Sequence, residues 1–294
     1  MKKKFFVFSD VHGQYSALSN SLIEAGYDFR NKDHILISIG DNFDRGNESA
    51  RVYDLLNQNK AICIKGNHET FLEEALEKGT DGEYVLFNCL HNGLYNTLQS
   101  FAGVTFENTI NVKHIDDSIK WINSNYPKLK TWLHNLPLYY ETKNYIFVHA
   151  GIDPNLRNWK DTPEDFMLWD IEHSHQRCGN VRKTVVIGHH HAFRVRQNVL
   201  SEYGYEDPLK LIHTGCTDEH APVRISNKIA IDPCSNYTNK VNVLVIEDEL
   251  LVDDEIKEET LKTSNTEFTI NLDNNYYTNW DTVITNNEIG TMWR

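Results

Sequence analysis

The chain has 294 residues and carries 42 acidic against 29 basic side chains, a formal net charge of −13 at pH 7. This charge disfavours nucleic acid and anionic membranes as partners, because both repel an acidic surface. No apolar run approaches the ~20 residues of a membrane span, so no membrane partner is expected. Five widely spaced cysteines without a C-x-x-C pair favour reduced thiols in the cytoplasm over a disulfide framework.

Five short apolar segments, each read as a buried strand, end in side chains that can bind metal ions. In chain order the segments are followed by Asp10 and His12, by Asp41, by Asn67 and His68, by His149 and by His189. Helical patterns at 15–25 and 70–78 separate the first segments. The alternation of strand, loop and helix predicts an α/β fold, in which sites gather at the carboxyl ends of strands.

Excluding His68, these side chains make a set of two carboxylates, one amide oxygen and three imidazoles. Such donors suit Mn²⁺, Fe²⁺ or Zn²⁺, and the absence of cysteine argues against a structural zinc site. Six ligands are more than one catalytic ion with open positions needs. Two ions that share a bridging carboxylate fit the count, and such a pair can bind the attacking and leaving oxygens of a phosphoryl group.

The remaining segments suggest one main domain and an appendage. Residues 82–140 are expected to form a largely helical insertion without ligands, and residues 192–228 look polar and loop-like. Two further strands, KIAID and VNVLVIED, would close a domain spanning residues 1–246. Residues 247–294 are first acidic and then rich in asparagine, and they are expected to pack on the domain or on a partner.

Five motifs carry a family resemblance: SDVHG (9–13), GDNFDRG (40–46), GNHE (66–69), VHAGI (148–152) and GHH (188–190). In this order they resemble the calcineurin-like metallophosphoesterases, and more narrowly the bacterial and phage branch of the phosphoprotein phosphatases typified by lambda phosphatase. The likeness is close over residues 5–152, thinner over 184–246 and absent from the tail. It implies a two-sheet sandwich flanked by helices, with a dimetal site at the carboxyl ends of the strands.

The resemblance also implies a ligand set for two divalent ions. Manganese is the expected metal, with iron or zinc as alternatives. Asp10 and His12 would hold the first ion, and Asp41 would bridge both. The second ion would take Asn67, His149 and His189, although His190 and His191 follow His189 directly and stay open as alternatives.

Three further residues take catalytic roles through the same resemblance. His68 would act as general acid toward the departing alkoxide, and Asp44 would orient it. Arg45 would clamp phosphate oxygens with its planar fork. The implied reaction is direct attack by a metal-bridging hydroxide, without a phosphoenzyme.

One departure from the family pattern concerns a second phosphate-binding arginine, expected just after a Leu-Trp pair. Ile171 occupies that place, and Asp170 beside it would repel phosphate unless it points away. Arg177, Arg182 or Arg194 could substitute, and their spacing does not choose among them. The departure puts the substrate class in doubt.

The function predicted from these residues is a two-metal phosphomonoesterase acting on phosphoserine or phosphothreonine, with phosphotyrosine as a further substrate. Its partners would be phosphorylated proteins or small phosphoesters, and the oligomeric state stays open. Two alternatives remain: a hydrolase of dinucleoside polyphosphates such as diadenosine tetraphosphate, and a binding module of low activity on the same fold.

Overall fold

The structure, a computed structural model, describes residues 2–105, 110–203 and 218–251. The strands within these residues are β1 (Lys2–Phe8), β2 (His34–Ser38), β3 (Ile62–Cys63), β4 (Tyr139–Glu141), β5 (Tyr145–Val148), β6 (Thr184–Ile187), β7 (Val223–Ile225), β8 (Lys228–Ala230) and β9 (Leu244–Glu249). The α-helices are α1 (Tyr15–Glu24), α2 (Ser49–Gln58), α3 (Asn67–Lys78), α4 (Val85–His91), α5 (Leu94–Ala102), α6 (Val112–Asn125), α7 (Leu129–His134), α8 (Glu164–Trp169), α9 (Ala192–Tyr203) and α10 (Ser235–Thr238).

The strands form two sheets. The first has the order β3-β2-β1-β9, and the second has the order β4-β5-β6-β8-β7. Strands β1, β2 and β3 run parallel, as do β5, β6 and β8, while β9, β4 and β7 are antiparallel to their neighbours. The carboxyl ends of the parallel strands therefore share one edge in each sheet.

Alternation along β1 shows how the sandwich is packed. Phe5 and Val7 belong to a buried cluster that also contains Phe147 and Val186 of the second sheet. Phe6 points the other way, into a cluster formed with the helices. Because successive strand residues face opposite sides, one apolar run can fill both layers. The predicted α/β sandwich flanked by helices is confirmed.

Two sequence predictions of local structure are wrong. The segment 192–228, expected to be loop, contains helix α9 and strand β7. Ala192 and Val195 pack into the apolar cluster of the second sheet, and the arginine, glutamine and asparagine residues that surround them in the sequence hid this apolar face. Helix α3 begins at Asn67, three residues before the predicted start, because the side chain of Glu69 accepts a hydrogen bond from the backbone amide of the N-cap residue Gly66.

The structure describes only the first residues of the appendage expected at 247–294. Strand β9 continues to Glu249, past the expected boundary at residue 246. The rest of the expected appendage, residues 252–294, lies outside the described residues, so its packing stays a prediction. Within the described ranges, no helix is both long enough and apolar enough to span a bilayer. Cys63, Cys89, Cys178 and Cys234 are free.

Candidate active site

The predicted site residues meet at the carboxyl edge of the two sheets. Each of the five predicted loops follows its strand, and the loops after β1, β2 and β3 face those after β5 and β6. The side chains brought together there are Asp10, His12, Asp41, Asn67, His68, His149 and His189. All are buried except His189, which is half-buried.

Two groups of possible metal ligands share Asp41. In one group, Asp41, His12 and His68 offer ligand atoms within 4.8 Å of one another, and in the other Asp41 does so with His149 and His189. The Oδ2 atom of Asp41 lies 3.8 Å from Nε2 of His12, and its Oδ1 atom lies 3.3 Å from Nε2 of His149. The two carboxylate oxygens thus face different groups, as a bridging ligand requires.

Asn67 joins the second group. Its Oδ1 atom lies 2.9 Å from Nε2 of His149, 3.1 Å from Nδ1 of His189 and 3.2 Å from each carboxylate oxygen of Asp41. An amide oxygen, imidazole nitrogens and a carboxylate are all electron-pair donors, so their convergence suits a cation. The residues present therefore fit a divalent metal ion.

Asp10 lies at the other side of the first group. Its Oδ1 atom is 4.0 Å from Nε2 of His12, and its Oδ2 atom accepts hydrogen bonds from the hydroxyl of Ser9 and from the backbone amide of His189 (3.0 Å). These bonds fix the carboxylate between the two sheets. The structure thus brings all six predicted ligands to one place.

His68 and Asp44 form a buried pair beside this cluster. Nδ1 of His68 lies 2.7 Å from Oδ2 of Asp44, and the other oxygen of Asp44 accepts a hydrogen bond from the hydroxyl of Thr97 (2.7 Å). The pair leaves Nε2 of His68 facing the cluster, 3.8 Å from Oδ2 of Asp41. A carboxylate behind an imidazole in this way fixes the tautomer and orientation of the ring.

Arg45 lies against the same two histidines. Its Nη1 atom is 3.0 Å from Nε2 of His12, and its Nη2 atom is 3.3 Å from Nε2 of His68. A guanidinium can only donate in such contacts, so both ring nitrogens present lone pairs toward it. The fixed positive charge of Arg45 therefore sits at the mouth of the cluster.

Burial and crowding dominate the electrostatics of the cluster. Burial, followed by the charges of Asp10 and Glu69, raises the pKa of Asp41 well above its usual value. Burial and the neighbouring His149 and His190 lower the pKa of His189 to about 2. Buried carboxylates beside neutral imidazoles are the surroundings that a divalent cation stabilises.

The three consecutive histidines after β6 take different partners. His189 contacts Asn67, whereas Nδ1 of His190 lies 2.6 Å from the hydroxyl of Ser174. Nε2 of His191 lies 3.8 Å from Oδ2 of Asp232. The structure therefore places His189 with the cluster.

The structure shows where Asp170 and the three candidate arginines of the segment that departs from the family pattern lie. The carboxylate of Asp170 is hydrogen-bonded to the ring of His173 (2.8 Å) and largely buried, so the expected repulsion of phosphate is reduced. Arg177 and Arg182 line a separate cavity of about 510 Å³. Arg194 stacks on Phe193. None of the three is seen in contact with the described residues of the cluster.

Two further buried acids had not been assigned a role from the sequence. Glu69 accepts hydrogen bonds from the backbone amides of Asp41, Asn42 and Gly66, so it ties the loop after β2 to the loop after β3. Asp232, at the end of β8, lies beside Asp10, whose charge contributes after burial to raising its pKa. The pattern IAID, an apolar run that ends in an acid, is the signal that could have indicated Asp232.

Comparison with known proteins identifies the family of this chain. The family model for calcineurin-like phosphoesterases matches residues 3–216. The chain belongs to the calcineurin-like phosphoesterase family, and the resemblance inferred from its motifs is confirmed.

Curated relatives are similar over shorter segments. Serine/threonine-protein phosphatase 2 of Escherichia coli (strain K12) is 44% identical over 77 residues, which make 26% of this chain and 34% of that protein. The phosphatase of the same name from Salmonella typhimurium (strain LT2) is 38% identical over 86 residues, or 29% of this chain and 38% of that protein. The chain thus spans little more than a third of the length of these relatives.

Solved structures match this chain at low sequence identity and with TM-scores below 0.5. A protein provisionally named a diadenosine tetraphosphatase has 16% identity and a TM-score of 0.48, with 85% of this chain and 95% of that chain covered. A cold-active protein tyrosine phosphatase has 16% identity and a TM-score of 0.43, with 83% and 73% covered. At these levels we draw no argument about function from either.

Proposed function

We propose that this chain is a two-metal phosphomonoesterase that hydrolyses phosphoserine and phosphothreonine, with phosphotyrosine as a further substrate. One observation carries the proposal: Asp41 lies between His12 on one side and His149 and His189 on the other, and beside them lie the guanidinium of Arg45 and the His68–Asp44 pair. The curated relatives, which are serine/threonine-protein phosphatases, support the substrate class.

Six residues would hold the two metal ions. Asp10 and His12 would bind the first, Asp41 would bind both, and Asn67, His149 and His189 would complete the second. When bound, the ions lower the pKa of water and neutralise the charge of a phosphoryl group. Manganese is the metal we expect from the family resemblance, and iron or zinc would also suit these carboxylate, amide and imidazole ligands.

The second coordination layer prepares these imidazoles to bind metal. Nδ1 of His12 lies 3.0 Å from the carbonyl oxygen of Phe43, and Nδ1 of His149 lies 2.9 Å from the carbonyl oxygen of Ile39. A carbonyl oxygen only accepts, so each Nδ1 carries the proton. Each Nε2 is left with its lone pair facing the cluster, which is the tautomer that a metal ligand needs.

His68 would supply the proton that the leaving alkoxide needs. Its Nδ1–H is held by Asp44, so Nε2 has the free lone pair in the neutral ring, and a proton taken up there is the one that His68 would pass to an oxygen at the cluster. A positioned acid of this kind contributes about 10²–10⁴ to the rate. Asp44 would keep the ring from turning.

Arg45 would bind the phosphate. Its guanidinium is the positive group that touches the cluster, and its two terminal nitrogens point to the same side, toward His12 and His68. A planar fork suits two oxygens of one phosphate better than the point charge of lysine. Because Arg45 contacts both histidines, a phosphate that it holds would lie beside the proton donor.

A parallel assay tests the proposal. The full chain is incubated with Mn²⁺ and then with p-nitrophenyl phosphate, a phosphothreonine peptide and diadenosine tetraphosphate. We expect turnover of the first two and little of the third. Preferred cleavage of diadenosine tetraphosphate would favour the dinucleoside polyphosphate hydrolase instead. Release from none of them, with metal bound, would favour the binding module of low activity.

A further inference from the structure

A polar cavity at the amino-terminal edge of the second sheet has no role in the chemistry described above. It has a volume of about 510 Å³. Its lining consists of Arg177, Gly179, Asn180, Val181, Arg182 and Asn227. Sites for small molecules span roughly 300–1,000 Å³, so the cavity has the size for one small ligand.

The second sheet separates this cavity from the predicted metal ligands. Arg182 comes two residues before β6 begins, and Asn227 comes directly before β8, which runs parallel to β6. His189 follows the opposite end of β6. Strand β6 has four residues, and at ~3.3 Å per residue it places the cavity more than ~10 Å from the cluster. A ligand in the cavity would therefore not touch a substrate at the cluster.

Two asparagines hold the wall of the cavity in place. The side-chain amide of Asn227 donates to the carbonyl oxygens of Cys178 (2.8 Å), Val181 (3.2 Å) and Lys183 (3.3 Å), and its Oδ1 atom accepts from the backbone amide of Cys178 (3.2 Å). The side-chain amide of Asn180 donates to two further backbone carbonyls, at 2.9 and 3.0 Å. The loop before β6 is thus ordered before any ligand arrives, which lowers the entropy cost of binding.

The charge of the cavity is positive. Its lining holds two guanidiniums, those of Arg177 and Arg182, and no carboxylate. Both arginines are exposed, and neither has a hydrogen-bond or ion-pair partner among the residues that the structure describes. Lys183 in the same loop, by contrast, is paired with Glu141 (2.9 Å). Two unpaired guanidiniums in one cavity of a chain with 42 acidic residues favour an anion from solution as their partner.

Backbone groups add further donors to the same wall. Gly179 and Arg182 are exposed, and within the described ranges no acceptor takes their backbone N–H groups. Guanidiniums and N–H groups can only donate, which excludes a cation and suits an oxyanion. The planar fork of an arginine binds two oxygens at once, so an anion with several oxygens can meet both side chains. Phosphate satisfies this better than a single carboxylate.

We propose that this cavity binds a phosphate group, either as free phosphate or as part of a small molecule such as a nucleotide. Arg177 and Arg182 hold its oxygens, and the loop that carries Gly179 supplies backbone donors. The site does not depend on the proposed function, because none of its residues belongs to the metal cluster.

Isothermal titration calorimetry of the full chain tests the proposal. EDTA is present to prevent metal-dependent turnover, and the probes are inorganic phosphate, ATP and a phosphothreonine peptide. Arg177→Ala and Arg182→Ala are each expected to weaken binding of phosphate or ATP about tenfold or more, the worth of a charge-assisted hydrogen bond. Tighter binding of ATP would support the proposal with a nucleotide as ligand, and equal binding would support it with free phosphate.

Two control variants separate this site from other positive groups. Arg30→Ala removes the same charge from an exposed position, where Arg30 is paired with Asp28 (3.2 Å), and is expected to leave the affinity unchanged. Arg45→Ala removes the guanidinium of the cluster and is also expected to keep the binding. Loss of binding in Arg45→Ala, with none in Arg177→Ala or Arg182→Ala, would move the anion to the cluster and overturn the proposal.

A matched pair at Gly179 tests the location by adding a charge. A Cβ atom at Gly179 would meet no other atom within 4 Å, so a side chain fits there without contact. Gly179→Asp is expected to weaken binding by roughly threefold or more, the scale of one charge pair at a surface. Gly179→Asn, which has the same shape without the charge, is expected to keep the affinity. Equal affinities of the two variants would contradict the location.

Three further results would overturn the proposal. One is the absence of binding of both phosphate and ATP at millimolar concentration. Another is equal affinity in Arg182→Ala and Arg30→Ala. The third is a loss of affinity for the phosphothreonine peptide alone in the Arg177 and Arg182 variants, which would make the cavity a docking site for a protein.

Discussion

At the scale of single residues, the backbone is held in an uncommon conformation around the candidate active site. Among the described residues, the non-glycine positions with positive φ include six predicted site residues: Asp10, His12, Asp41, Asp44, Arg45 and His189. Each such position costs on the order of 1–3 kcal/mol and persists only where the surroundings impose it. The clustering of strain at one site indicates that the loops are built to aim these side chains.

His68 gives the first prediction at this scale. His68→Asn removes the proton donor but leaves the six metal ligands in place, so turnover is expected to fall by ~10²–10⁴. Steady-state kinetics with p-nitrophenyl phosphate measures the loss, and elemental analysis checks that the bound metal is unchanged. Turnover equal to that of the parent chain would remove His68 from the mechanism.

Glu69 gives the second prediction at the scale of single residues. Each of its carboxylate oxygens accepts hydrogen bonds from two N–H groups, so a glutamine amide would face two donors in either orientation. Glu69→Gln is expected to lower the free energy of unfolding by roughly 3 kcal/mol, because buried polar groups lose their partners. Urea denaturation in the presence of EDTA measures this without bound metal.

The matched control is Glu24→Gln on α1, where the side chain is exposed. It is expected to change the free energy of unfolding by less than about 0.5 kcal/mol. Equal effects of the two substitutions would contradict the role given to Glu69 in joining the loops.

The sequence indicates which residues meet but not how they are held. Short apolar runs followed by acids and histidines located the six expected ligands, because strand ends are rigid and parallel strands share an edge. The positive φ angles and the contacts of Glu69 arise from loops distant in the sequence, so no local pattern encodes them. The orientation of Asp170 toward His173 likewise depends on tertiary packing.

At the scale of elements, the loops after β2 and β3 meet through two glycines. Gly40 has φ of +98°, and a Cβ atom there would lie 2.7 Å from the Cα and N atoms of Gly66. Gly40→Ala would therefore both strain the backbone and push two ligand-bearing loops apart. Gly26 has φ of +79°, but a Cβ atom there would meet no other atom within 4 Å. An alanine at Gly26 would therefore strain the backbone without any steric contact.

These two positions make a paired prediction. Gly26→Ala is expected to cost roughly 1–2 kcal/mol of unfolding free energy, the penalty for a left-handed alanine. Gly40→Ala is expected to cost about 1–3 kcal/mol more, from overpacking. Urea denaturation of both variants measures the difference, and equal losses would show that the contact with Gly66 is unimportant.

Helix α9 illustrates where element prediction failed. Ala192, Val195 and Val199 are buried at helical spacing. They are separated by arginine, glutamine and asparagine, which made the segment look like a loop. A narrow apolar stripe is enough to hold this helix, because only one of its faces packs on the second sheet. The spacing of the apolar residues therefore indicates the helix better than the overall polarity of the segment does.

At the scale of the whole molecule, Asp248 links the two sheets. It lies on β9 of the first sheet and accepts hydrogen bonds from the hydroxyl of Thr142 (2.7 Å) and the backbone amide of Asn144 (2.8 Å), next to β4 and β5 of the second. Burial would raise the pKa of this carboxyl, but the hydrogen bonds from Thr142 and Asn144 outweigh it and lower the pKa.

This link predicts a pH-dependent contribution to stability. A carboxyl with a lowered pKa stabilises the fold above its unfolded-state pKa of about 3.9, and the contribution is lost as the pH falls through the lower folded value. Asp248→Asn is therefore expected to be less stable than the parent chain at pH 7, and the difference is expected to shrink below about pH 4. Urea denaturation across this range measures it, and a difference independent of pH would contradict it.

Two metal ions that share Asp41 are the basis of the proposed activity. Manganese per chain, measured by elemental analysis after equilibration and removal of free metal, tests this directly, with Asp44→Asn as a control that keeps all six ligands. We expect two ions in the parent chain and in Asp44→Asn, and the loss of both ions together in Asp41→Asn. One ion per parent chain, or one ion retained at full occupancy in Asp41→Asn, would contradict the account.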